Sequence, residues 1–449
     1  MLLALSFAVP ATAAQNYTLE PIVLRGDAAP GTATTFSGFE LPIAITETGV
    51  AFVADLFVPS GSGDAVYADV GAGLQLVALK GTPAPGLPGA NIGGVGWVQL
   101  NGPGEVVYTA STWDGVNGVD TLYHWANGSA TLLLKQGDAA PGPGLSFDGF
   151  TAPSLDAAGT VVFLGDVLDG QGSTTHGIFR SASGETTALL WEYAPAPGTG
   201  GGQLVSFGPP HLNAAGDVAF AASVANGSVD HGLFKLSGGN VETLVLENDV
   251  LPGTGGGSAD NLDFSRIGLN ATGTVAFVAD VLGGNVDRGI FAISAGVVAP
   301  VALEGDPAPG TTGAVFDFLR RHIALDDASK VAYRADLSGG TETQGLFRGD
   351  QAVALIGEPL PGTGGGSVGV MSERPAMTGS GGTGFETAIF QGVGGRGLFR
   401  ATPSTPAVPS LPASGAVALA LLLAGCGSRR LARGFEKGVC ESTSRSGTS

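Results

Sequence analysis

One phrase returns seven times along this chain, and each return ends in Pro-Gly: GDAAPG, GTPAPG, GDAAPG, YAPAPG, NDVLPG, GDPAPG and GEPLPG. Its prolines are Pro30, Pro85, Pro141, Pro197, Pro252, Pro309 and Pro361, at spacings of 55, 56, 56, 55, 57 and 52 residues. A period of this size marks a repeat architecture. One unit cannot bury its apolar surface alone, so neighbours must stack. Two further landmarks keep the same beat. An aromatic follows a tight-turn signal in every copy: Phe52, Tyr108, Phe163, Phe220, Phe277, Tyr333 and Phe385. An aliphatic–aromatic pair comes next, as in Val66-Tyr67, Ile178-Phe179 and Leu398-Phe399.

Between one Pro-Gly and the next the pattern reads as four short strands. Strand A runs into the turn, as in 264–269, where Asn or Asp can bond its own backbone and Gly at the fourth position accepts a positive φ. Strand B (275–281) carries the first aromatic, strand C (289–294) the pair, and strand D (297–303) leads into the proline phrase, which stops it. The 76 glycines and 27 prolines are thus turn residues. A disordered chain would not also carry 43% hydrophobic residues in register. Both cysteines, Cys426 and Cys440, lie near the C-terminus, so no disulfide framework holds the repeats.

Four strands in ~55 residues is the size of a propeller blade. The seventh repeat has strands A, B and C but no D, while the chain begins with a lone strand D, Tyr17 to Arg25. The expected fold is therefore all-β, a seven-bladed β-propeller over residues 15–402 whose ring is closed by the N-terminal strand. A β-solenoid or two smaller β domains are the alternatives, but a solenoid needs atypical capping repeats.

Asn213 with Gly216-Val218-Ala219-Phe220, and Asn270 with Gly273-Val275-Ala276-Phe277, resemble the bacterial tandem-repeat family named for its NxxGxxAF motif. Asp156, Asp326 and Thr378 replace the Asn in other copies. The resemblance spans roughly residues 17–402 and implies architecture and an anchored location, not an activity. The ends agree with an exported protein. Residues 1–14 read as a signal peptide whose beginning is truncated, with a buried N-terminal strand as the alternative. Residues 403–410 form a Pro-rich linker and sorting motif, and 411–427 are 17 uncharged residues, ~25 Å as a helix. A basic and polar tail, 428–449, follows. This arrangement resembles PEP-CTERM and IPTL-CTERM sorting signals, which implies removal of the tail and passage to the cell surface; a permanent anchor is the alternative.

The net charge of −19 argues against nucleic acid and against anionic lipid surfaces. It suits a cation, a neutral glycan or a basic protein. Acids recur at one position of the D-to-A loop (Asp27, Asp138, Asp249, Asp306) and at the end of strand B (Asp55, Asp166, Asp280, Asp336). Together they would form an acidic rim able to take Ca²⁺ or a polar ligand, or they cap local backbone N–H groups. His176 and His231 share a position before strand C and suggest either a metal or a solvated loop. No catalytic motif appears. The function expected is a surface-anchored binding or scaffold module with a glycan or protein partner. The alternative is an extracellular glycosidase or lyase using the acidic face. Arg320, Arg321 and His322 are a local departure in the sixth unit, read either as a solvated edge of strand A or as part of a site.

Overall fold

The computed structural model describes residues 17–58, 61–262 and 267–404. The expected signal peptide (1–14), most of the expected linker (403–410), the 411–427 segment and the 428–449 tail lie outside them. Seven antiparallel sheets form the ring, each ordered A-B-C-D, as expected. The first blade is Phe36–Ile45, Val50–Val58, Gly61–Asp69 and Gln75–Leu79. The last blade takes its fourth strand from the other end of the chain. Tyr17–Leu24 pairs with Arg396–Pro403, Leu19 opposite Ala401.

Closure is equally plain in the core. Seven apolar clusters lie between successive blades, and the seventh joins Val23 and Leu398 of the last blade to Phe36, Phe52 and Tyr67 of the first. Each strand B is buried on both faces: Phe52 packs toward the last blade, Val53 toward the second. The repeated aromatics are cross-strand partners. Phe52 stacks on Tyr67, Tyr108 on Tyr123, Phe163 on Phe179 and Phe220 on Phe234. Phe277 stacks on Phe291, Tyr333 on Phe347 and Phe385 on Phe399, with all seven centroid separations between 5.2 and 6.1 Å. Such a pair contributes roughly 0.5–1.5 kcal/mol beyond its buried area.

The Asn turn has a second role that its local chemistry did not reveal. Asn270 Oδ1 accepts the N–H groups of Thr272 and Thr274 and so shapes its own turn. Its amide Nδ2 reaches the next blade and donates to the carbonyl of Asp326 at 2.9 Å. Asn101 donates likewise to Asp156, and Asn213 to Asn270. The turn residue is thus a stitch between blades. Asp156 and Asp326 keep the acceptor and lack the donor. Buried Asp326 instead binds the Arg348 guanidinium.

The proline phrase is a pinched loop at the opposite end of the ring. Its first residue has positive φ in every blade, which explains the glycines at 26, 81, 137, 305 and 357; Tyr193 and Asn248 adopt the same conformation. After the fifth phrase the chain continues through Gly255, Gly256 and Gly257. A Cβ at Gly257 would collide with Val281 and meet Gly284 at 2.8 Å, and Asn285 N–H donates to the Thr254 carbonyl. The tract is packed against the B-to-C loop of its own blade, which places both loops at one end.

Candidate functional site

Strand A is the innermost strand, and its ladder is interrupted halfway. In the sixth blade the register shifts between Leu319 and Ile323, and in the seventh strand A divides into Ser367–Met371 and Ala376–Met377. Prolines sit at several of these breaks, since they donate no ladder hydrogen bond. Pro42, Pro153, Pro209 and Pro375 join Trp97, His211, His322 and Arg374 around a central cavity of ≈ 170 Å³ to which all seven blades contribute. That is below the usual range for small-molecule sites. His211 faces this narrow lumen. Loss of bulk water pushes its pKa down to about 4, so the ring is neutral.

The loop end has the same framework in each blade and different chemistry. The equivalent residue pair toward the loop end of the B–C ladder is Asp55–Asp64, Ser111–Asp120, Asp166–His176, Ser223–His231, Asp280–Arg288, Asp336–Gln344 and Ala388–Arg396 in blade order. Blades one to three form an acidic sector. Burial, with Asp55 and Asp64 nearby, raises the Glu40 carboxyl; burial and Asp64 raise Asp55; burial, Asp148 and Asp166 raise Asp120. His176 Nδ1 lies 2.7 Å from Asp166.

Blades five to seven form an arginine sector. Arg288 Nε donates to Asp280 at 2.6 Å, and Arg321 stands 3.7 Å from the same carboxylate. Arg320 binds Asp336 through Nη2 and Glu373 through Nη1, the latter at 2.9 Å. Arg334 donates to Asp336 at 3.1 Å and lies 3.7 Å from Glu373. Phe318 is held between two guanidiniums, Arg288 at 4.3 Å and Arg320 at 4.9 Å from its ring centroid. Glu304, at the loop joining blades five and six, accepts from Leu319 N–H; burial pushes its carboxyl upward despite Arg288.

The expected acidic rim divides accordingly. Asp27, Asp138, Asp249 and Asp306 turn back and accept the N–H groups of Leu24, Lys135, Leu246 and Leu303 at 2.8–3.0 Å. They are turn caps. Of the strand-B acids, Asp55 stands beside Asp64 and Asp166 beside His176, while Asp280 and Asp336 bind arginines. The eight do not converge, and no group of three metal-ligating side chains occurs among the described residues. Arg320 and Arg321 were visible as a break in the repeat. Arg288, Arg334 and Glu373 were not singled out. Arg334 and Glu386 occupy the position after the repeated aromatic, which is uncharged in the other five blades, so aligning the repeats would have exposed them.

Solved structures similar to this chain match it at low identity. They include the gluconolactonase of Xanthomonas campestris (15% identity, 66% of this chain and 82% of that chain, TM-score 0.31). PorZ, a surface component of the type-IX secretion system of Porphyromonas gingivalis, matches at 14% identity over 80% of this chain and 46% of its own, TM-score 0.41. The acylaminoacyl peptidase of Pyrococcus horikoshii matches at 9% over 82% and 51%, TM-score 0.45. No activity follows from similarity at this level. No curated protein matches the chain. One family model matches it twice in tandem, over residues 7–173 and 166–357. The chain belongs to that family, described as a family of unknown function (DUF7453).

Proposed function

We propose that the chain is a binding or scaffold module displayed on a bacterial surface, and that its ligand meets the loop end of the propeller at blades five to seven. One observation carries the reading. Charged side chains from three consecutive blades converge there, and one of them, Arg334, stands at a position that is uncharged in five blades. A repeat that served packing alone has no use for this, because burying Arg334 costs desolvation that its partners must offset. Export and anchoring draw on the apolar segments 1–14 and 411–427. The test is a thermal-shift screen of the full chain against glycans, proteins and metal ions, repeated on Asp280→Asn and Arg320→Ala. A ligand whose effect disappears in those variants supports the assignment. A ligand that binds both variants as it binds the parent removes it.

Glu304 favours a second reading, an extracellular carbohydrate-active enzyme. A carboxyl kept protonated more readily than usual, beside Arg288 and near Asp280, has the character of a general acid. Polysaccharide cleavage that is lost in Glu304→Gln while binding persists would favour it.

A further inference from the structure

The arginine sector already holds a carboxylate in the position a ligand's carboxylate would occupy. Glu373 Oε1 faces both Arg320 Nη1, at 2.9 Å, and Arg334 Nη1, at 3.7 Å. Its side chain is 45% exposed, whereas that of Arg334 is 5% exposed. Glu373 also lies between the two halves of strand A of the seventh blade, outside the paired segments Ser367–Met371 and Ala376–Met377. The two guanidiniums are fixed from behind. Asp336 bridges them, one oxygen to each, and Phe318 braces Arg320. Nε of Arg320 and Nε of Arg334 are buried without a hydrogen-bond partner, so the donors outnumber the acceptors. Arg320 and Arg334 share the carboxylates of Asp336 and Glu373. Arginine forks of this kind are built for carboxylate geometry.

We propose that this sector binds the carboxylate of an acidic sugar, a uronate unit of an extracellular polysaccharide, by displacing Glu373 from Arg320 and Arg334. The inference rests on the binding-module reading above. The neighbouring groups decide for a sugar over an acidic peptide. Asp280, Glu304 and the displaced Glu373 are acceptors beside the forks. A uronate ring brings hydroxyl donors next to its carboxylate and can satisfy them. A glutamate side chain brings only a methylene stem, and the backbone N–H donors of an acidic peptide stand farther from its carboxylate. The acidic sector across the ring repels a polyanion and orients it toward blades five to seven.

The experiment is calorimetric titration of the full chain with tetragalacturonate, using a neutral galactose tetramer and polyglutamate as comparisons. Glu373→Gln removes the internal competitor and is expected to tighten tetragalacturonate binding about tenfold, while Arg320→Ala weakens it by about tenfold or more. Arg320→Lys keeps the charge, loses the fork and is expected to restore little. Unchanged or weaker binding in Glu373→Gln overturns the proposal, as does unchanged binding in Arg320→Ala. Polyglutamate binding as tightly with the same Arg320 dependence would reassign the site to acidic protein. If neither the parent nor Glu373→Gln binds tetragalacturonate, the uronate assignment fails. A different ligand still sensitive to Arg320→Ala would then leave the binding-module reading standing.

Discussion

The two ends of the ring are built from the same repeat and have diverged to different degrees. At the A-to-B turn end, blades two, four and five carry the same bonds: a turn Asn that caps its own hairpin and donates to the next blade. At the loop end the equivalent B–C pair changes from Asp–Asp to Asp–His to Asp–Arg around the ring. Where the turn residue is Asn one solution recurs, because its amide meets the carbonyl of the neighbouring turn. Where nothing but solvent or ligand faces the side chain, blades are free to differ. Stability is therefore concentrated at the turn end, and individuality at the loop end.

The hardest test of that division is Asp326→Ala. It strands the Arg348 guanidinium beside a buried site, and the expected loss is about 3–5 kcal/mol in urea unfolding. A loss no larger than that of a loop-end acid would break the comparison. The channel wall joining the ends contributes the next effect. His211 is held neutral with a pKa of about 4 against an ordinary 6.5, so the unfolded chain binds its proton first as pH falls. Stability should be lost between about pH 6.5 and 4 by at most about 3 kcal/mol, and His211→Gln should flatten that slope.

Asn270 separates cap from stitch. Asn270→Asp keeps the turn acceptor and loses the amide donor, for an expected cost of about 1 kcal/mol, and Asn270→Ala should cost about 1–3 kcal/mol. An Asn270→Asp variant as stable as the parent would mean the stitch contributes nothing, and equal costs for the two variants would mean the cap contributes nothing. At the loop end the sign reverses. The Asp55 carboxyl is raised by burial and by Asp64, so the folded state takes up its proton before the unfolded chain does. Asp55→Asn should stabilise at pH 7 by less than about 1 kcal/mol, and the gain should fade on acidification through the carboxylate range. The smallest effect concerns the rim acids. Because Asp27, Asp138, Asp249 and Asp306 already cap backbone N–H groups, millimolar Ca²⁺ should move the unfolding midpoint by less than about 1 °C. A clear rise would restore a cation site.

Much of the architecture was legible because repetition is a property of the chain itself. The seven aromatics after the turns and the seven aliphatic–aromatic pairs fall at fixed intervals, and four strands per interval follow from turn chemistry. That a lone N-terminal strand completes the last blade also follows from counting. The stitch was not legible. A turn Asn looks the same whether its amide meets water or a carbonyl 56 residues away. The site was legible only in part. Arg320 and Arg321 stood out as neighbours in sequence, whereas Arg288 and Glu373 lie in other repeats and resemble ordinary surface charges.

The sequence by itself determined the unit, its number and the order in which the strands must pair, since these depend on local turns and on apolar spacing along the chain. Only the tertiary structure decided which charges meet. Arg288, Arg320, Arg334, Asp336 and Glu373 belong to three blades, and their encounter depends on the inter-blade packing that brings inner strands together at the channel mouth. It also decided that four aspartates spaced like ligands turn inward to their own backbone, because an N–H three residues away is nearer than any ion.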